Sequence, residues 1–309
     1  MIKPKQTEPS EVDLVRRIGR GAGPPPASQL VLGIGDDCAI FRPLGSHEDL
    51  LFTTDLLIED VHFRRTTHRA VDVGWKCLAR GLSDIAAMGG EPRFCLVSLA
   101  LGGWANARWV EGFYRGLLAL ASREGTVLAG GDLARVEKTA CDIVVCGAVP
   151  QGCALRRDGA RAGDTIYVSG RLGGSAMGLA KGSGAAWKRH LRPEPRLALG
   201  RFLRENLRAT AAMDLSDGLS LDLRRMCQAS GLRAEIVDPP VCLGGTLDQG
   251  LHGGEDYELL FTVPPRMLVP RAFEGLRLTR IGTMCSGKPG VQLYGAPLEA
   301  LGWDHFAKR

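Results

Sequence analysis

No apolar run in this 309-residue chain approaches the roughly 20 residues that a helix needs to cross a bilayer. The opening residues are polar and include Pro4 and Pro9, unlike a secretion signal. The expectation is a cytoplasmic protein with no membrane partner. Cysteine pairing is missing as well. The nine cysteines are scattered, odd in number and never spaced as CxxC, so neither a disulfide framework nor a zinc site is expected. Reduced, mostly buried thiols are expected instead. Charge is not concentrated either. The net charge is +5, but Lys and Arg are interleaved with acids, which describes solvated faces and no nucleic-acid partner. Familiar nucleotide signatures are absent. The only Gly-Lys pair, Gly287-Lys288, is followed by Pro289, so there is no P-loop. No GxGxxG opens a helix after a strand, and there is no HExxH and no His-Arg-Asp loop.

What is present is an ordinary folded composition, 45% hydrophobic and 24% charged. The length exceeds one ordinary core and suits two domains of roughly 150 residues each. We place the division after Pro150, giving domains 1–150 and 151–309. Ser10 reads as the cap of a first helix, which the GRGAGPPP stretch from Gly19 to Pro26 should break. Val-, Ile- and Leu-rich runs predict strands over 30–34, 50–54, 94–101, 126–129 and 142–149. Helical spacing predicts helices over 72–88 and 106–124. In the second half, helices are expected over 173–181, 193–206, 218–230 and 265–273, and strands over 165–169, 234–237, 258–263, 279–283 and 291–294. The mixture gives an α/β or α+β class.

The informative feature is a series of acids set beside Gly, Ser or Thr. They occur in Gly35-Asp36-Asp37, Thr53-Thr54-Asp55, Ser83-Asp84, Gly130-Gly131-Asp132, Asp214-Leu215-Ser216-Asp217-Gly218 and Gly254-Glu255-Asp256. One Gly-Asp pair is usually only a turn. Glycine, however, lets backbone and phosphate approach closely, and dispersed carboxylates are the hard oxygen ligands that Mg²⁺ takes while bridging to phosphates. Asp84 interrupts a helix face lined by Leu82, Ile85 and Ala86, where an acid is disfavoured. Six such motifs in one chain point to a metal-phosphate site. His62 and the helix start at Ser216-Asp217 each also admit a structural reading, the latter as a cap or a phosphate cradle.

The stretches GIGDDCAI (33–40), TTDLLIEDVHF (53–63), KCLARGLSDIAAMGGEPR (76–93), GGD (130–132), RHLRPEPR (189–196), MDLSDGL (213–219), GGEDYELLFTV (253–263) and GWDHF (302–306) together resemble the thiamine-monophosphate kinase family. That family shares a superfamily with aminoimidazole ribonucleotide synthetase, selenophosphate synthetase and the hydrogenase maturation dehydratase. The resemblance implies two α/β domains, with the N-terminal domains pairing in a homodimer. It also implies ATP-dependent phosphorylation of thiamine monophosphate with several Mg²⁺ ions. By motif position it implies metal ligands at Asp37, Thr53, Thr54, Asp55, Asp84, Asp132 and Asp214, with Asp217 holding another ion. Nucleotide contacts would fall at Tyr114, Gly131, Asp132, Arg157 and Ser216, and substrate contacts at His62, Glu255 and Trp303. Leu133 stands where the family more often has Thr after GGD.

The chemistry agrees with this composition. A phosphate acceptor oxygen is already ionised, so direct transfer needs counter-charge and alignment but no general base. No catalytic Ser-His or Cys-His pair is therefore expected. Among rivals, a selenophosphate synthetase should carry a Cys within 1–32, where none occurs, and the hydrogenase protein should end in Cys, where this chain ends Ala307-Lys308-Arg309. An aminoimidazole ribonucleotide synthetase-like enzyme and a non-catalytic nucleotide-binding regulator are the remaining alternatives.

Overall fold

The computed structural model describes residues 11–22 and 29–306. The Ser10 cap, the proline-rich loop at 24–26 and the Ala307-Lys308-Arg309 end lie outside the described residues. The chain opens with α1 (Glu11–Ala22), β1 (Leu30–Leu32), β2 (Ala39–Phe41), β3 (Glu48–Ile58), α2 (Ala70–Ala87), β4 (Glu91–Leu101), α3 (Ala107–Arg123), β5 (Val127–Arg135) and β6 (Ala140–Pro150). It continues with β7 (Thr165–Ser169), α4 (Gly174–Lys181), α5 (Gly184–Leu191), α6 (Leu197–Glu205), β8 (Ala211–Asp214), α7 (Leu219–Ser230), β9 (Arg233–Ile236), α8 (Leu247–His252) and β10 (Leu259–Val263). The last strands are β11 (Ala272–Phe273), β12 (Leu276–Cys285), β13 (Gly290–Leu293) and β14 (Ala296–Pro297).

The first sheet has the order β1-β2-β3-β6-β4-β5, and the second β14-β13-β9-β12-β7-β10-β8 with β11 beside β12. Among the described strands only β4/β5 and β13/β9 pair in parallel. The fold is thus mixed α/β, as expected.

Period-two alternation gives the first sheet two unlike faces. Leu57, Ile143, Val145, Cys95 and Val97 point into the core against α2 and α3. The opposite face carries a cross-strand row formed by Leu56, Asp142, Ser98 and Asp132, with Thr54, Val144 and Leu96 in the next row. Leu56, Leu96, Ser98 and Asp132 are exposed.

Helix α2 is the hub. A Cβ on its Gly74 would lie 1.9 Å from the carbonyl oxygen of Phe113, and one on Gly116 of α3 would lie 1.8 Å from that of Val71. The two helices therefore meet backbone to backbone, which only glycine allows. On another side, Gly200 of α6 approaches Ala86 in the same way, at 2.0 Å. Leu82 and Ile85 of α2 consequently share a core with Leu199 and Leu203 of α6 and Phe261 of β10. A second core joins Ile166, Val168, Met213, Leu223, Ile236 and Leu260 between the second sheet and α7.

Several expectations are corrected. No helix forms over 265–273. Pro264, Pro265 and Pro270 remove backbone donors and disfavour helical backbone before them, so a turn leads to β11. Helix α6 starts at Leu197, four residues later than expected, because Pro193 and Pro195 hold the preceding chain open. Helix α1 runs past Gly19 and Gly21 to Ala22. Strand β5 continues through Gly130-Gly131-Asp132, which the sequence reading put at a strand end. All nine cysteines are free, and six are buried.

The backbone contact at Gly116 gives a direct test. Gly116→Ala must push α3 off α2, and a loss of about 3 kcal/mol in urea unfolding is expected from overpacking of this kind. An unchanged midpoint would mean that the helices can part freely.

Candidate active site

Helix α2 is buried, yet Asp72, Lys76, Arg80 and Asp84 recur on it every fourth residue, so they form one charged stripe. Each finds a partner. Asp72 accepts from Arg69 at 2.8 Å and from Arg192 at 2.6 Å. Lys76 Nζ lies 2.8 Å from Glu255 Oε1. Arg80 reaches Asp55 at 2.5 Å. Asp84 Oδ2 accepts the Thr53 hydroxyl at 2.5 Å.

At the Asp84 end the acids outnumber their partners. Asp37, Asp84 and Asp214 bring carboxylate oxygens within 4.8 Å of one another. They come from three places: the turn after β1, helix α2 and the end of β8. Ser83, beside Asp84, donates to Asp214 at 2.6 Å. Arg157 pairs with Asp37 at 2.5 Å and with Asp36 at 3.2 Å. Asp37 Oδ2 is buried with no hydrogen-bond partner among the described residues. Burial raises the carboxyls of Asp84 and Asp214, and the repulsion of neighbouring acids raises them further. Burial also raises Asp37 against the pull of Arg157, and together with Asp37 it pushes Asp36 up to about 7. Such a set of hard oxygen donors, short of cations and with an unpartnered oxygen, fits a divalent ion.

Next to it, Asp214-Leu215-Ser216-Asp217-Gly218 leaves β8 and enters α7. Asp222, wholly buried, accepts the backbone N–H groups of Asp217 and Gly218, each at 3.0 Å. Arg225 pairs with Asp217 at 2.5 Å and with Asp222 at 2.8 Å. The Ser216 carbonyl accepts the Glu255 N–H at 2.7 Å, so this loop and the GGEDYE loop are locked together. Trp303 donates its N–H to the Asp217 carbonyl at 2.9 Å. Its ring meets His305 edge-on at 5.6 Å, and His305 in turn lies 5.2 Å from His62. His62 Nδ1 accepts the Ile58 N–H at 3.0 Å. Burial, with Arg80 nearby, pulls His62 down to about 3, so the ring is neutral. Burial opposes the charge on Glu255, but Lys76 and His190 outweigh it and hold the carboxyl down to about 2.

Of the residues expected from sequence, Asp37, Thr53, Asp55, Asp84, Asp214, Asp217, Arg157, Ser216, Glu255, His62 and Trp303 belong to this connected region. Four do not join it. Thr54 and Asp132 stand on the opposite, open face of the first sheet, where Thr54 donates to Asp142 at 2.7 Å. Asp132 therefore does not converge with Asp84 within one chain. Tyr114 packs on Phe113 along α3. Gly131 has a structural reason of its own, since a Cβ there would meet the Val97 carbonyl at 1.9 Å. Sequence reasoning missed Lys76, Arg80, Asp222 and Arg225. The four-residue spacing from Lys76 through Arg80 to Asp84 was the available signal for the first two.

Fold and site together define a class, a two-sheet α/β protein with a buried acidic centre between its sheets. Residues 35–154 match the family described as AIR synthase related protein, N-terminal domain. The relatives narrow this class. Thiamine-monophosphate kinase of Escherichia coli O157:H7 is 38% identical over 305 residues, covering 89% of this chain and 92% of that protein. The Aquifex aeolicus thiamine-monophosphate kinase is 35% identical, covering 88% and 92%. The solved structure of AaThiL complexed with AMPPCP and TMP is 32% identical, with a TM-score of 0.84 over 99% of each chain. The chain belongs to the thiamine-monophosphate kinase family.

The acidic cluster predicts a pH-linked response to metal. An acid whose folded pKa is raised destabilises the ion-free protein as pH climbs above its unfolded value near 4. Mg²⁺ opposes that loss by taking the place of protons. The thermal midpoint should therefore rise with Mg²⁺ by several degrees at about pH 8 and scarcely at all at about pH 5. An equal rise at both would remove these carboxylates from the metal site.

Proposed function

We propose that this protein transfers the γ-phosphate of ATP directly to thiamine monophosphate, giving ADP and thiamine diphosphate. The observation that carries the reading is the trio Asp37, Asp84 and Asp214, set beside Glu255, His62 and Trp303 in one connected region. The similar AaThiL is known complexed with AMPPCP and TMP.

Asp37, Thr53, Asp55, Asp84 and Asp214 would hold several Mg²⁺ ions, with Asp217 available to a further one. Bound there, the ions cancel phosphate charge and align the two phosphates for in-line displacement. Arg157 and Ser216 face the nucleotide, and Arg157 brings a fixed cation where two anions must meet. His62, Glu255 and Trp303 receive the thiamine end. An indole can stack on a cationic thiazolium for about 0.5–2 kcal/mol, and Glu255 offsets the positive charge. In this division residues 1–150 carry metal and ATP binding together with dimerisation, and 151–309 complete the nucleotide and substrate site. No described helix is long and apolar enough to cross a membrane, and we place the protein in the cytoplasm.

A homodimer is part of the proposal. Its support is the open face of the first sheet, which pairs exposed Leu56 and Leu96 with a row of polar groups. Covering it with a second copy gives Asp132, its neighbour Gly131 and Thr54 their opportunity to serve a nucleotide or metal, which one chain alone does not.

The reaction is tested by following products. Thiamine diphosphate and ADP should appear in equal amounts, and thiamine itself should not be phosphorylated. Asp84→Asn should lower kcat by about 100-fold or more while the thermal midpoint holds or rises, as expected when a raised, repelled carboxyl is neutralised. Full turnover in that variant would discard the acidic trio. Trp303→Ala should raise KM for thiamine monophosphate and leave KM for ATP unchanged. An equal rise in both would return Trp303 to packing. For assembly, light scattering should give twice the chain mass, and Leu96→Glu should halve it. A monomeric wild type would end the dimer proposal.

A further inference from the structure

Lys76 is among the largest fully buried side chains, with an exposure of 0%. Among the described residues Glu255 is the one carboxylate within ion-pair distance of it, with Nζ 2.8 Å from Oε1 and 2.9 Å from Oε2. His190 Nδ1 stands 3.3 Å from the same carboxylate. The pair is lopsided. The Lys76 side chain is 1% exposed, whereas Glu255 keeps 24% of its side chain open.

A pair needed only for folding has no reason to be built this way. A buried ion pair is often no better for stability than apolar residues of the same size. Here the carboxylate also sits on a left-handed backbone, with φ at 64° for Glu255 and 49° for Tyr257, which side-chain-bearing residues avoid. The Ser216 carbonyl fixes the Glu255 N–H at 2.7 Å. The loop is thus strained and tied down, and Lys76 Nζ reaches both Glu255 oxygens, of which Oε1 is buried, while part of the Glu255 side chain stays open. Lys76 stands on the α2 stripe that also carries Asp84. At roughly 1.5 Å per residue, the two are about 12 Å apart along the helix axis. One rigid helix therefore sets the separation between the acidic cluster and the Glu255 carboxylate.

We infer that Lys76 is a positioning residue: from inside α2 it holds Glu255 in the orientation that receives the cationic end of thiamine monophosphate, at a fixed distance from the metal-phosphate end. The inference rests on the proposed role of Glu255 and is tested so that the two can fail separately.

The experiment is a double-mutant cycle on steady-state constants with Lys76→Met, Glu255→Gln and the double variant. Lys76→Met should raise KM for thiamine monophosphate by about tenfold, with KM for ATP within about twofold. Glu255→Gln should do the same, and the double variant should be no worse than Glu255→Gln alone, since Lys76 acts through that carboxylate. If Glu255→Gln matters and Lys76→Met lowers only the thermal midpoint, or if the two effects multiply, the positioning role is overturned while the role of Glu255 stands. If Glu255→Gln leaves KM unchanged, the role of Glu255 itself falls, and the inference with it. Should Lys76→Met not fold, Lys76→Gln, which removes the charge and keeps a polar group of similar reach, is read by the same criteria.

Discussion

A helix buried on nearly every side cannot carry four charges unless its surroundings answer each one. Breaking one partner from a buried pair costs about 3–5 kcal/mol, so the stripe Asp72, Lys76, Arg80 and Asp84 constrains every element that touches α2. The first sheet answers with Asp55 and Thr53 from β3. The second unit answers with Arg192 and Glu255. These partners come from far along the chain, and the stripe therefore fixes how the two sheets are set around one helix. The arginines of RHLRPEPR belong to the same scheme. Arg189 and Arg196 reach the wholly buried Glu258 at 2.9 and 2.6 Å, which anchors the strand entry beside Glu255.

The stripe is balanced at Asp72, Lys76 and Arg80 but not at Asp84. There the hydroxyls of Thr53 and Ser83 are the only side-chain donors reaching Asp84 and Asp214 among the described residues, and hydroxyls do not neutralise charge. Arg157 is committed to Asp36 and Asp37. A folded protein tolerates such an excess when a cation completes it. The helix thus passes from closed ion pairs at its start to an acidic surplus at its end, and the site occupies the surplus.

Much of this was legible in the chain because the signals were local. Asp84 in an apolar helix, Asp214 before Ser216-Asp217-Gly218 and Glu255 after two glycines each announced themselves through neighbours that ought not to surround a solvated acid. What stayed hidden depended on sidedness over long range. Thr53 and Thr54 are adjacent in sequence, yet strand alternation sends one toward Asp84 and the other to the open face. Asp132 lies on that open face only because β5 pairs in parallel with β4 and runs on through GGD, where a strand end had been expected. Lys76 and Arg80 read as ordinary surface cations until the helix was known to be buried on that side. The missing helix at 265–273 shows apolar spacing losing to the backbone limits of three prolines.

The proposed reaction needs no general base, and the same electrostatics agree with it. His62 is the histidine nearest the role, but its Nδ1 is spent on the Ile58 N–H and its ring is held neutral by burial and Arg80. An acceptor that is already an ionised phosphate has no proton to lose near neutral pH, since its second pKa is near 6. The obstacle is repulsion between two anions. On the proposed reaction that obstacle calls for fixed charge at fixed distances: the acidic trio at one end of α2, which would hold the Mg²⁺ ions that offset the repulsion, and the gripped carboxylate of Glu255 toward the other. Rigid placement on one helix does here what proton transfer does in enzymes whose nucleophile must first be made.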